Sequence, residues 1–337
     1  MSKMIRRIKI PLYQNQLDSV QRVIEKGELV NGSDLEKLER KLKELFNRKY
    51  VVLTSNGFSA IFLTLKAIDK KKIILPAIST CFSMVNASKS AGYEIEFADV
   101  NMESMSLDKA DSDIVLAPNH FGKIALFNRN INKSFSIEDS CQSFMSSKNR
   151  DSQSDVTVLS FYPSKLINGI DGGAILTDSE KIYQRAKKMV YYSEQNSFEE
   201  SNSFNFRLNN INASFALATI AHLDEIEKRL KDIYKELTFE LKNRGISFLE
   251  MDNDEIASKL ILTFSDKSQT DRAFEHFTKS DIEVSREFIY IGPIEELNRY
   301  KNSKELVQSN FSIPFHPLLT EDEILVIKNT IRSLSWS

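Results

Sequence analysis

Ser160-Phe161-Tyr162-Pro163-Ser164-Lys165-Leu166-Ile167-Asn168-Gly169-Ile170-Asp171-Gly172-Gly173 joins two short apolar runs, Val156 to Phe161 and Ala174-Ile175-Leu176-Thr177. Runs of this length with β-branched residues read as buried strands. Between them lie a single lysine and a polar turn containing glycines. Upstream, another apolar stretch ends in Ile137-Glu138-Asp139, with Gln142 three residues on. A lysine amine and a carboxylate, each leaving the end of its own strand, are what a pyridoxal phosphate site needs. The amine forms a Schiff base with the cofactor, and the acid pairs with the pyridinium nitrogen.

Outward from this stretch, strand and helix patterns alternate. Tyr50 to Thr54, Ile73 to Pro76, Ile95 to Val100, Ile114 to Ala117 and Ser134 to Ile137 read as strands. Ser33 to Phe46 reads as a helix, because Leu35, Leu38, Leu42 and Leu45 recur at three- and four-residue spacing. Ser33 is the expected N-cap, with Glu36 completing a capping box. Helices are also expected over 59–68 and about 83–91. This alternation implies right-handed crossovers and a mostly parallel sheet flanked by helices, with ligands gathering at the carboxyl ends of strands.

Residues 212–242 contain no proline or glycine and read as one or two long amphipathic helices leading into a second domain. Beyond them, Lys259 to Phe264 and Asn310 to Ile313 are expected strands of a small α+β layer. A final helix over 320–333 has Thr320 as N-cap and acidic residues in its first turn. The expected division is a large domain over 1–232 and a small C-terminal domain over 233–337.

At 337 residues the chain suits one large domain plus a smaller one. A formal charge of -2 gives no footprint for nucleic acid or an anionic membrane. Cys81 and Cys141 cannot form a disulfide framework, and no metal spacing connects them. No apolar run is long enough to span a bilayer, and the basic start of the chain is not followed by an apolar signal core. A cytoplasmic protein is expected.

Thr54-Ser55-Asn56-Gly57-Phe58-Ser59-Ala60 lies at a strand-to-helix junction. The amides of Gly57, Phe58 and Ser59 are candidates to hold a phosphate at the helix N-terminus. The same residues also suit a plain tight turn capped by Ser55 or Ser59. Asp139 is open to a second reading as a cap for the Ser140-Cys141-Gln142 segment. Lys165 taken alone is weak evidence, since most lysines are surface groups.

The order of these elements resembles the DegT family of pyridoxal-phosphate-dependent nucleotide-sugar aminotransferases. The resemblance covers nearly the whole chain, from Gly32-Ser33-Asp34-Leu35-Glu36 to Phe315-His316-Pro317-Leu318-Leu319-Thr320-Glu321. Ile137-Glu138-Asp139-Ser140-Cys141-Gln142 is similar to the family's I-E-D-x-A/C-Q. Ser160 to Gly173 is similar to S-F-x-P-x-K followed by G-E-G-G, and Phe204-Asn205-Phe206-Arg207-Leu208 resembles Y-N-Y-R-M. The implied fold is the type I transferase fold: a mostly parallel seven-stranded sheet flanked by helices, with a smaller C-terminal α+β domain.

By this resemblance Lys165 is the Schiff-base lysine and the proton shuttle, and Asp139 holds the pyridine nitrogen protonated. Gln142 sits against the ring or its 3′-oxygen. Ser160 and the turn at Gly57, Phe58 and Ser59 bind the phosphate. Asn205 reaches the phosphate of a neighbouring subunit, which makes a homodimer a condition of activity. Arg207 and His120 are weaker candidates at the substrate side. The implied reaction moves an amino group from glutamate to a keto nucleotide sugar, for surface polysaccharide or secondary-metabolite synthesis.

Several positions depart from the pattern. Asn56-Gly57-Phe58-Ser59 stands where the family has S-G-T-A, and Thr80 stands where an aromatic ring commonly stacks on the cofactor, with Phe82 two residues away. Tyr162 replaces a frequent histidine, and Ile170 replaces a glycine. A dehydratase of the same family is disfavoured, because those replace the lysine with histidine. A same-fold aminotransferase acting on a non-sugar ketone and a catalytically silent binding homologue stay open.

Overall fold

The computed structural model describes residues 4–107, 111–124, 134–147, 154–192 and 202–335. In chain order, helices α1 (Gln14–Glu25) and α2 (Ser33–Phe46) precede strand β1 (Tyr50–Thr54), helix α3 (Gly57–Ala67), strands β2 (Lys72–Pro76) and β3 (Ile78–Ser79), and helix α4 (Ser83–Ala91). Strands β4 (Glu94–Ala98), β5 (Ile114–Pro118) and β6 (Phe135–Asp139) follow, then the short helix α5 (Phe144–Ser147) and strands β7 (Val156–Ser160) and β8 (Gly173–Thr177). Helices α6 (Glu180–Val190), α7 (Asn210–Ile220) and α8 (Leu223–Asn243) lead to strands β9 (Ser247–Phe248) and β10 (Leu260–Thr263). Helix α9 (Lys267–Lys279), strand β11 (Ile289–Tyr290), helix α10 (Lys301–Gln308), strand β12 (Asn310–Ile313) and helix α11 (Glu321–Ser333) complete the chain.

Seven strands form one sheet in the order β1-β8-β7-β6-β5-β2-β4. From β7 to β4 every pairing is parallel, while β8 runs antiparallel to both β7 and β1. The reversal has a local cause. The link between β7 and β8 contains no helix, so the chain turns back at the end it has just left, as antiparallel neighbours allow. Lys165 rides on that link.

Central strands are apolar on both faces because helices cover both. Ile73, Leu75, Leu116, Ile137, Val156 and Val158 pack toward α3, α4 and α6, in a cluster that includes Ala60, Leu63 and Ala186. Leu53, Leu159, Ala174 and Leu176 pack on the other face with Leu38 and Leu42 of α2 and Ala213 and Ala216 of α7. Strands β9, β10 and β12 form the three-stranded sheet of the C-terminal part, and β11 pairs with β3.

The expected architecture holds, with local corrections. Ser33 is the first helical residue rather than the cap. Gly32 takes the cap position without a side-chain bond, and Asp34 is buried against Arg22 at 2.6 Å and Lys37 at 2.9 Å. Residues 212–242 fall in two helices, broken at Ala221 and His222, with the first capped by Asn209. The expected junction at 232/233 falls inside the continuous helix α8. Thr320 caps α11 as expected, and Glu323 completes a capping box. No helix among the described residues is long and apolar enough to cross a membrane.

Candidate active site

Five strands of the large sheet deliver their carboxyl ends to one cavity of about 480 Å³. Asp139 is the last residue of β6, Ser160 the last of β7, and Asn119 and His120 follow directly on β5. Thr80 follows β2 and β3, and the turn at Asn56 and Gly57 follows β1. Parallel register sets this convergence: Pro118 lies opposite Asp139, and Asp139 opposite Val158. Asp139 and Lys165 both line the cavity. The acid is fixed by a strand end, and the amine by the turn in which Lys165 N–H donates to Tyr162 C=O at 2.8 Å.

Among the described residues Lys165 has no hydrogen-bond or ion-pair partner for its side chain, so its amine is available to a ligand. Asp139 Oδ1 accepts from the Cys141 amide at 3.0 Å. The acid therefore braces the following turn and also lines the cavity. Burial pushes the Cys141 thiol well above its ordinary value, with Asp139 acting in the same sense, so Cys141 lines the wall as a protonated, inert group.

At the phosphate-type turn the cap of α3 is Asn56, a residue the sequence reading passed over although asparagine before such a turn is a strong N-cap signal. Its Oδ1 accepts from the Ser59 amide at 2.9 Å and from Ser59 Oγ at 3.0 Å. Ser59 is thereby buried and does not line the cavity. The amides of Gly57 and Phe58, in the first turn, have no acceptor within the helix, and both residues line the cavity with Ser160. A Cβ added at Gly57 would stand 3.0 Å from Ser160 Cβ, so only bare backbone leaves this corner open.

Gln142 is held from both ends. Its Nε2 donates to Thr80 Oγ1 at 2.7 Å, and its Oε1 accepts from the Phe121 amide at 3.2 Å. Thr80 thus braces a side chain on the cavity wall and offers no ring. Phe82 does not replace it: Phe82 is 48% exposed and lies off the cavity wall.

His120 is 2% exposed and lines the cavity beside Phe288, whose ring meets it edge-on at 5.1 Å. Burial, with Lys259 and Lys165 nearby, brings its pKa down to about 3, so the imidazole is neutral at physiological pH. The chain turns there through a left-handed Phe121 (φ 57°) and Gly122 (φ 104°). A side chain at Gly122 would collide with the carbonyl of Ile256.

Asn205 and Arg207 do not reach this cavity. Their segment lies beside the turn, since the Ser55 amide donates to Phe206 C=O at 2.6 Å. Phe204 and Phe206 pack on Phe62, while Asn205 on the alternate side is exposed and bonded to Arg207. Arg207 also sits 4.0 Å from the centre of the Tyr191 ring. Tyr162 is on the cavity wall, mostly exposed, and Ile170 keeps a left-handed conformation (φ 67°) that a β-branched residue disfavours.

These residues fit pyridoxal phosphate: an unpaired amine, a strand-end carboxylate, a bare-backbone corner at a helix N-terminus, and room for a small aromatic ring. The DegT/DnrJ/EryC1/StrS aminotransferase family model matches residues 12–120 and 132–332. A UDP-4-amino-4,6-dideoxy-N-acetyl-beta-L-altrosamine transaminase of Campylobacter jejuni is 22% identical, covering 95% of each chain. A 3-oxo-glucose-6-phosphate:glutamate aminotransferase of Bacillus subtilis is 27% identical over 71% of this chain and 60% of its own. An aminotransferase of Helicobacter pylori involved in the biosynthesis of pseudoaminic acid superposes with a TM-score of 0.86 at 17% identity, covering 98% of each chain. The chain therefore belongs to the DegT/DnrJ/EryC1/StrS family and is a pyridoxal-phosphate-dependent aminotransferase.

Proposed function

We propose that the chain transfers an amino group from glutamate to a keto nucleotide sugar, giving an amino sugar for surface polysaccharide or secondary-metabolite synthesis. The single observation that carries the chemistry is that Lys165 and Asp139 line the same cavity at the carboxyl ends of adjacent strands. Pyridoxal phosphate, when bound, supplies a carbonyl that takes up the amine and a ring that accepts the electrons left at the donor's Cα. Lys165 would hold the cofactor through its side-chain amine and, when free of it, would take and return the proton at the donor's Cα. Asp139 would pair with the ring nitrogen. The amides of Gly57 and Phe58 and the Ser160 hydroxyl would hold the phosphate, aided by the helix dipole of α3.

The sugar assignment draws on the relatives, whose names specify nucleotide sugars and a sugar phosphate as substrates and, in one case, glutamate as donor. The exposed Asn205 supports a homodimer in which that side chain completes the neighbour's phosphate site. In the same reading, Arg207 is held at this interface by Asn205 and Tyr191, and His120 meets substrate as a neutral group. Thr80 supplies no ring from its position, so any stacking on the cofactor would fall to another wall residue such as His120, Phe58 or Tyr162.

Isotope-labelled glutamate offered with a panel of keto-sugar nucleotides separates these readings. The account expects label on a sugar and 2-oxoglutarate in equal amount. Amination of a simple ketone but of no sugar sinks the sugar assignment.

A further inference from the structure

Gln142 crosses the cavity wall between two fixed points, and the chemistry of each decides which way its amide faces. At one end stands the Phe121 amide, 3.2 Å from Gln142 Oε1. A backbone N–H can only donate, so the oxygen of Gln142 lies there and its nitrogen lies at the other end. There Nε2 donates to Thr80 Oγ1 at 2.7 Å. An aromatic ring at position 80 would offer that N–H no such acceptor.

Both points are held by backbone. Phe121 sits in the left-handed turn after β5, and its carbonyl accepts from the Ser258 amide at 2.8 Å. Thr80 follows directly on β3, which β11 holds in register, with Ile289 opposite Ser79 and Tyr290 opposite Ile78. The Ala77 amide donates to Ala98 C=O at 2.8 Å, and Ala77 C=O accepts from the Ile291 amide at 2.9 Å. The fold therefore sets the orientation of Gln142.

The pair uses only part of its hydrogen-bonding capacity. Nε2 carries a second hydrogen, and the Thr80 hydroxyl, which accepts from Gln142, still has its own to give. Neither hydrogen has an acceptor among the described residues, and both residues line the main cavity. This wall lacks an acceptor oxygen, and the strand order points to one. Along β1-β8-β7-β6-β5-β2-β4, the phosphate corner at Gly57 and Ser160 belongs to β1 and β7, and Asp139 ends β6. The Phe121 turn and Thr80 follow β5 and β3, on the far side of Asp139. In pyridoxal phosphate the 3′-oxygen and the phosphate arm flank the carbonyl on opposite edges of the ring. A ring with its carbonyl at Lys165, its nitrogen at Asp139 and its phosphate at Gly57 would turn the 3′-oxygen toward Gln142.

We infer that Thr80 is a positioning residue, holding Gln142 so that Nε2 donates to the cofactor's 3′-oxygen. The inference rests on the cofactor reading above and gives a role to the side chain that stands where a ring was expected. Its effect is electrostatic. A donor at the 3′-oxygen stabilises negative charge there, and that charge is greatest when the nitrogen linking the cofactor to Lys165 has lost its proton. The donor thus lowers the pH at which this proton leaves.

The test uses the protein loaded with pyridoxal phosphate, without substrate, and follows its visible absorbance as pH is varied. Thr80→Val keeps the shape of the side chain and removes the hydroxyl. It is expected to raise the midpoint by about 0.5 to 1 pH unit, roughly a three- to tenfold gain in proton affinity. Thr80→Ser, which restores the hydroxyl, should return the midpoint to within about 0.3 pH unit. Gln142→Leu should raise it at least as far as Thr80→Val does. Adding Thr80→Val to Gln142→Leu should change nothing further, because Thr80 acts through Gln142. The titratable groups on the same wall, Cys81, His120, Asp139, Cys141, Tyr162 and Asp171, are common to every variant. An unchanged midpoint in Thr80→Val overturns the inference, even where its thermal transition falls, and so do shifts that add in the double variant. Borohydride trapping of the cofactor on Lys165 separates this failure from the larger one. If the unaltered protein traps nothing there, the reading of the main cavity falls and the role of Thr80 with it.

Discussion

Lys165 stands between two walls of different origin. One is the carboxyl edge of the large sheet, where Asp139, Ser160, Asn119 and Gly57 come from neighbouring strand ends. The other gathers Arg7, Lys259 and Ser312 from segments far apart in the chain, with Glu287 bonded to all three from behind. The first wall carries little charge and presents backbone amides and fixed strand-end groups. The second is crowded with charge. Strand register can position a reacting group within one sheet, whereas the charged cluster is assembled by tertiary packing.

The sharpest way to break this comparison is Lys165→Ala. It should lower transfer by about 10⁴-fold or more, since both covalent attachment and proton transfer are lost, and steady-state rates would measure it. The thermal transition should hardly move, because the lysine is half-buried and makes no side-chain bond among the described residues. Asp139→Asn should cost on the order of 10²–10³-fold by weakening a preorganised charge, with cofactor still trapped on Lys165.

Of these two walls, the sheet side was largely legible in the sequence. Short apolar runs ending in Asp139 and Ser160 predict strand ends, and parallel strands put those ends on one edge. Lys165 was legible by its place in the link to β8. The second wall was not. Nothing local to Arg7, Lys259 or Glu287 signals that the N-terminal segment, bridged at Ile5 to Ile282, brings them together. Ser33 shows a smaller failure of the same kind: its capping-box pattern is present, yet the helix starts one residue early, with Asp34 buried between Arg22 and Lys37. Asn56 carries a readable N-cap signal as well, set between serines of similar capping strength.

A subtler contrast concerns pH. His120 titrates near 6.5 when unfolded and near 3 in the fold. Below 6.5 the unfolded chain therefore binds a proton that the native chain does not. Its contribution to stability is complete above pH 6.5 and is lost as pH falls toward 3. His316, lowered in the same direction by burial, adds to the trend. Urea unfolding at pH 7, 5.5 and 4.5 should show this decline, and His120→Asn should flatten it; an equal slope in the variant would assign the effect elsewhere.

The smallest expected effect lies in the loop that carries Lys165. Ile170 is left-handed and 45% exposed, so Ile170→Gly removes backbone strain and little packing. It should stabilise the fold by about 1 kcal/mol, the strain relieved being offset in part by greater freedom of the unfolded chain. A fall in the thermal transition would show that the isoleucine side chain is held by contacts, for example from a second subunit.

The most direct test of the account is a crystal structure of the protein grown with pyridoxal phosphate. The account predicts continuous density from Lys165 into a ring whose nitrogen meets Asp139, with the phosphate on the amides of Gly57 and Phe58. A ring bound away from Lys165, or an Asp139 that keeps only its bond to the Cys141 amide, would contradict it.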